Sequence, residues 1–343
     1  MKVMAQITHD NHYVPQFYLK QWSKDGHRIW AYRLLVSNEK VPIWERRSIR
    51  GIAIHRDLYT QLADGKETDD FERFLETEYE SPAQEAINKV VQNKELSSGD
   101  WEKLARFFAA QDVRTPTNYL EALERWDETL PNILQTTLED AVQQIEHYSG
   151  QTIIKTENDT QQFFKNLLKV HIVPNPDSSG GYIGAEVVAG RALWLESQRL
   201  LLRKTAQNLL KHKWSIAQPA SGKEWFTSDH PTVRLNYYGN EKYDLKGGWG
   251  NPGTDLLLPL SPYHLLYTNI GSESPDRFKL SIEHTALIQR IISERALRWI
   301  YARRTIKEVV QFRPRHVDSV AFMSEEEQLR RWHKEQSEAE NNN

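Results

Sequence analysis

At 343 residues, with 39% hydrophobic and 27% charged residues, the chain has material for one large core or two ordinary ones. Forty-four Lys and Arg against 47 Asp and Glu leave a net charge of −3, without the basic excess of a dedicated duplex-DNA binder. The lack of cysteine excludes disulfides, thiolate metal sites and cysteine nucleophiles, so any metal must be held by His, Asp or Glu.

The first ten residues hold no apolar stretch of signal-peptide length. No segment approaches the roughly 20 apolar residues of a membrane helix, and a cytoplasmic protein without a membrane partner is expected.

Residues 11–60 read as β-rich. Ile29, Trp30, Tyr32 and Leu34 predict a strand over Arg28 to Val36. Val41 to Trp44 is the expected partner, placed at an edge by Pro42. A further strand is expected from Ile52 to Ile54, extending toward Leu58 and Tyr59. Ahead of these lies Asn11-His12-Tyr13-Val14-Pro15-Gln16-Phe17-Tyr18-Leu19. Pro15 keeps the residue before it extended, so His12 is presented from stiff backbone. His12 reads as an acid/base group or, with His9, as a metal ligand. It reads equally as a helix cap or a partner for a buried carbonyl.

Residues 69–211 read as helical. Phe71, Phe74, Leu75 and Tyr79 recur at helical spacing, and Pro82 is expected to break or kink the helix. The same stretch carries Asp69, Asp70, Glu72, Glu76, Glu78 and Glu80. Glu72 and Glu76 share a face at i,i+4 and could hold a divalent cation, but such a run is ordinarily the wet side of a helix. Ser97 and Asp100 have capping-box spacing, and the helix they open should end near Thr115, before Pro116. At that end stand Gln111, Asp112 and Arg114. They form either an Arg fork for phosphate or carboxylate, or a C-cap network with Thr115. Helices are expected over Thr117 to His147, divided at Pro131, over Asp159 to Val170, and over Glu186 to Lys211. A loop from Pro174 to Gly181 separates the last two.

From residue 213 to 304 strands return at Trp214 to Ala217, Glu224 to Thr227, Thr232 to Leu235, Leu256 to Leu258 and His264 to Ile270. A helix over Thr285 to Arg298 and a strand over Trp299 to Ala302 follow. Gly247 to Gly253 is a glycine-rich loop. Thr227-Ser228-Asp229-His230-Pro231 sets Asp229 and His230 at a strand end, either as mounted catalytic groups or as an Asx or Ser/Thr turn. Basic clusters stand at Arg46-Arg47-Arg50 and Arg303-Arg304-Lys307, with Arg313 and Arg315 beyond. Together they would make one phosphate-tracking surface beside Trp44 or Trp299 if the two β regions pair. There is no phosphate loop, dinucleotide fingerprint, zincin helix or kinase signature.

The order strands–helices–strands predicts an α+β fold, with the N- and C-terminal β regions sharing one mixed or antiparallel sheet around a central helical block. Residues 1–323 are expected to form a single globular domain, and 324–343 a charged tail that frays.

The opening motif from Asn11 to Leu19 resembles that of a bacterial domain-of-unknown-function family, numbered 4238. The likeness continues through Gln111-x-x-Arg114-Thr115-Pro116, Thr227-Ser228-Asp229-x-Pro231 and Leu258-Pro259-Leu260-Ser261-Pro262. It spans about Asn11 to Arg304 and implies a bacterial or phage-related cytosolic protein, without implying a reaction. The family pattern commonly has Asn where this chain has His230, which puts His230 in doubt as a required group.

Polar motifs held in stiff apolar frames lead to the expectation of a phosphodiester hydrolase, a nuclease or toxin-like effector. His12 would be acid/base or metal ligand, Asp229 base or metal ligand, and Gln111 with Arg114 would position phosphate. A divalent metal is a cofactor this chemistry would accept, and nucleic acid or a phosphorylated ligand its partner. The rival expectation is a non-catalytic ligand-binding or interaction module in which the same four residues fix the fold.

Overall fold

Arg28–Arg33 buries Ile29 and Ala31 in one core and Tyr32 in another, and this segment is the meeting strand of the two ends of the chain. The computed structural model describes residues 7–63, 65–146, 168–175 and 181–341. In it, Arg28–Arg33 lies between Trp299–Ala302 and Glu45–Ser48, and Thr227–Ser228 completes a four-stranded antiparallel sheet. The N- and C-terminal β regions therefore do share a sheet. The edge partner is Glu45–Ser48 rather than Val41 to Trp44. The Asn38 side chain accepts from Lys40 N–H to form a turn, and Pro42 has no N–H to give a ladder, so pairing begins after both.

A six-stranded mixed sheet is built from residues 215–279, all antiparallel except the pair Ser215–Gln218 with Arg277–Lys279. Its central strand, Thr254–Ser261, is buried on both faces. Leu256, Leu258 and Leu260 join the core beneath the helical block. Leu257 joins a second core with Ile291 and Ile292 of the helix Ile282–Arg295. A strand of period two thus divides the hydrophobic interior.

The helical block departs from expectation in three places. Pro82 does not break the helix: Asp70–Leu75 runs through a π-helical turn, Glu76–Glu80, into Ser81–Val91, and the wider turn just ahead of Pro82 accommodates its ring and missing N–H. Pro131 lies inside an undivided helix, Pro116–Glu146; it is exposed, so the carbonyl deprived of its donor can turn to water. Leu168–Pro174 pairs antiparallel with Gly181–Val187, where helix and loop were expected; β-branched Val170, Ile172 and Val173 favour strand. The following helix accordingly starts at Arg191. The rest of the expected helix, residues 159–167, lies outside the described residues. Ser97 and Asp100 do form a reciprocal capping box on Ser98–Val113, and Arg114 is its C-cap.

Ser319–Asn341 is helical, and its Glu340 reaches back to buried Arg191. Among the described residues no helix is long and apolar enough to cross a membrane.

Candidate functional site

The end of the Ser98–Val113 helix grips the opening motif by its backbone. Gln111 Nε2 donates to Tyr13 O at 2.8 Å, and Arg114 Nη2 donates to His12 O at 2.6 Å. Arg114 is 1% exposed. Its Nη1 bonds Glu80, and its Nε donates to Tyr59 Oη at 3.3 Å. Tyr59 Oη in turn donates to Arg114 O at 2.6 Å. Three of the four predicted site residues, His12, Gln111 and Arg114, therefore lie together, but through the carbonyls of His12 and Tyr13 rather than the His12 imidazole. The strand Asp10–His12 is itself pinned against Ile54–Arg56.

The carboxylate run is not uniformly a wet face. Glu76 and Glu78 are exposed, whereas Glu72 and Glu80 turn inward to Arg114. Glu72 Oε2 stands 3.9 Å from Nη2. The π-helical turn lies between the two glutamates, and with it both reach the same guanidinium. Burial pushes the Glu72 carboxyl up to about 7, with the Arg114 charge opposing and Glu80 assisting. Burial also lowers the half-buried His12, against the Arg50 carbonyl and with the Arg114 charge. His12 Nε2, Gln111 Oε1 and Glu72 Oε2 are all buried without a hydrogen-bond partner. Glu72 and Glu76 do not pair as cation ligands, since Glu76 points to water. His9 Nδ1 bonds Asp57 at 2.6 Å, so His9 is engaged elsewhere than with His12. Among the described residues no group of three or more His, Asp or Glu side chains could hold a metal ion.

A pH dependence follows from Glu72. Its folded-state pKa lies above the ordinary 4.5, so the folded chain disfavours the ionised form. The associated stability is present below about pH 4.5 and is lost as pH rises through about 7. Glu72→Gln is expected to raise stability by about 1–3 kcal/mol at pH 8, with the gain vanishing near pH 4.5. Thermal melts of both proteins across that range check it; a difference independent of pH contradicts it.

Asp229 is committed elsewhere. Its carboxylate accepts the backbone N–H groups of Leu297, Arg298 and Trp299 at 2.9, 2.7 and 3.1 Å. Its own N–H donates to Trp299 O at 3.0 Å. It thus clamps the turn after Thr227–Ser228 onto the start of Trp299–Ala302. Burial pushes this carboxyl up to about 6, against the three donors and Arg298. Among the described residues no hydrogen bond or ion pair joins Asp229 to His12, Gln111 or Arg114. Its charge is felt by Tyr13, whose hydroxyl is raised first by burial and then by Asp229.

His230 and Asp112 belong to a second network. Arg295 Nη2 donates to His230 Nε2 at 2.9 Å, which leaves the ring proton on Nδ1, 3.1 Å from Thr115 Oγ1. Burial, then the charges of Arg295 and Arg234, hold this imidazole well below its ordinary pKa. Asp112 accepts from Thr232 Oγ1 at 2.8 Å and from Trp249 Nε1 at 2.9 Å, so it pins the glycine-rich loop. Glu121 bridges Arg295 at 2.8 Å and Arg234 at 3.5 Å. Arg234, Arg295 and Glu121 carried no local signal: each stands on a separate element, and their proximity is a product of the fold.

Several residues of the basic clusters are engaged locally. Arg47 lies over the Trp299 ring at 5.2 Å, as pairing of the β regions required. Arg46 pairs with Asp25, Arg304 with Glu224, and Arg315 donates to the carbonyls of Val41 and Glu39.

The family described as a protein of unknown function, DUF4238, matches residues 10–305. The match opens at the Asp10–His12 strand, takes in both polar networks and stops short of the C-terminal helix. No curated protein and no solved structure matches the chain. A match over most of the chain places this protein in the DUF4238 family.

Proposed function

We propose that this protein is a ligand-binding module of the bacterial cytoplasm, in which Gln111, Arg114 and Asp229 hold the fold together rather than handle a substrate. One observation carries the reading: the polar groups of Arg114 and Asp229 that would meet a substrate are already bonded within the protein, at 1% and 3% exposure. A guanidinium that grips a phosphodiester needs free N–H groups facing it. Arg114 faces Glu80 and a carbonyl instead, with Glu72 close by, and an incoming anion would meet two carboxyl groups.

A second reading, hydrolysis of a phosphodiester, has a specific observation in its favour. Glu72 is held at about 7 beside the same Arg114 that carries His12, and His12 Nε2 is unpaired. A carboxyl so poised could give up a proton near neutral pH, and an imidazole kept neutral by burial could accept one. In that case Glu72 and His12 are the acting groups, Gln111 and Arg114 hold them from behind, and nucleic acid is the substrate.

The two readings part on one set of measurements. Purified protein is incubated with RNA and with DNA in Mg²⁺, Mn²⁺ or EDTA, and Gln111→Ala, Arg114→Ala and Asp229→Ala are melted. The binding reading expects no cleavage and melting points several degrees lower. Cleavage that disappears in Glu72→Gln or His12→Ala, with melting near that of the parent, would overturn it in favour of hydrolysis.

A further inference from the structure

Period-two alternation puts Asp255 on the same face of the central strand as Leu257, the face covered by the helix Ile282–Arg295. The helix seals this face over Ile291 and Ile292, which are buried. Toward its N-terminus it does not. Leu287 and Ile288 stay half-buried, and opposite them Tyr267, Phe278 and Leu280 are half-buried too. A cavity of about 270 Å³ lies between the two sets, lined mostly by apolar side chains. At ~30 Å³ per water this is room for about nine waters. The volume is near the lower end of small-molecule sites.

The cavity contains one carboxylate, that of Asp255. Tyr267 Oη and Asn269 Nδ2 both donate to its Oδ1, each at 2.8 Å. Among the described residues Oδ2 receives no hydrogen bond, and no Lys or Arg pairs with this side chain. Asp112, by contrast, is bonded at both oxygens. A half-buried carboxylate held by neutral donors on one oxygen keeps most of its desolvation cost. A cation placed on the other oxygen would offset that cost. A neutral apolar occupant would deepen it, and an anion would be repelled.

We propose that this cavity is a binding site for a small organic cation: a primary amine on an aromatic or aliphatic body. The ammonium sits on Asp255 Oδ2, and the body lies between Leu287 and Ile288 on one side and Tyr267 and Phe278 on the other. This deepens the ligand-binding reading and rests on it, while using none of the residues of the two polar networks.

The test is calorimetric titration of the full chain with 2-phenylethylamine, with 2-phenylethanol as neutral and phenylacetate as anionic counterpart. The amine is expected to bind at least tenfold more tightly than the alcohol, and the acid not measurably. Asp255→Asn should weaken the amine at least tenfold and leave the alcohol unchanged. Leu287→Trp, a substitution on a half-buried helix face, should block both and needs no change at the carboxylate. No amine binding, equal binding of all three compounds, or amine binding undiminished in either variant overturns the proposal. Loss of this site while Arg114→Ala and Asp229→Ala still melt low rejects the amine site and leaves the binding reading in place. Nucleic-acid cleavage dependent on Glu72 rejects the binding reading itself.

Discussion

Replacing Arg114 with alanine should lower stability by about 3–5 kcal/mol, or roughly 5–10 °C in melting temperature. The size follows from what remains behind. Glu80 loses its direct partner, Glu72 loses the positive charge that opposes its upward shift, and the carbonyl of His12 loses its donor. Most of the cost is therefore the buried charge left unpaired, not the attraction removed. That account has its own check. Glu80→Gln added to Arg114→Ala should recover part of the loss, because it removes the stranded charge. Two independent losses would instead add. Arg114→Lys should recover little, since one ammonium cannot reach the glutamate, the carbonyl and the tyrosine in the geometry of the planar fork. An Arg114→Ala protein that melts within a degree of the parent would remove the structural role assigned to this residue.

Arg191→Ala should be comparably damaging, by about 3–5 kcal/mol, and should free the C-terminal helix. Arg191 is 0% exposed. Its Nε and Nη2 bond the two oxygens of Glu340 at 2.8 and 2.7 Å, a paired grip on the last turns of the helix Ser319–Asn341. Its Nη1 donates to Asp57 O at 3.0 Å. Gln336 adds a bond to the Arg191 N–H at 2.7 Å, and Trp332 packs edge-on against Tyr119 at 4.8 Å. The helix has no fully buried residue, so little apolar area replaces this anchor once it is lost. Hydrogen exchange over residues 319–341 should rise in Arg191→Ala, and limited proteolysis should cut ahead of the helix. The pair Arg191→Met with Glu340→Leu should restore much of the protection, because it removes both charges together. Protection unchanged in Arg191→Ala would show the helix to be held by other contacts.

What could be read in the chain was what neighbours in sequence decide. The Ser97–Asp100 cap, the helix end before Pro116 and the strand Trp299–Ala302 all stand where local pattern put them. The order of elements was enough for the α+β class and for the shared sheet. Local pattern failed where two local tendencies competed. At 168–187 helical spacing and β-branched content pointed apart, and pairing with a second strand tipped the balance.

The candidate site divides the same way. Residue types alone marked the opening motif, the Gln111–Arg114 turn and Asp229 as unusual. The partners that define them lie far off: Glu80 is separated from Arg114 by 34 positions and Leu297 from Asp229 by 68. Glu72 and Glu80 looked like solvent-facing carboxylates because a helix surface is ordinarily wet, and nothing within a turn of either points to Arg114. The pocket at Asp255 had no sequence signal, since a lone Asp in an apolar strand has no period or motif to betray it. By itself the sequence determined the elements, their class and which residues were chemically out of place. Only the tertiary structure decided which of those residues are already satisfied, and that a residue without any sequence signal, Asp255, faces an open cavity. Hydrogen bonding and desolvation depend on distance in space, which no local pattern encodes.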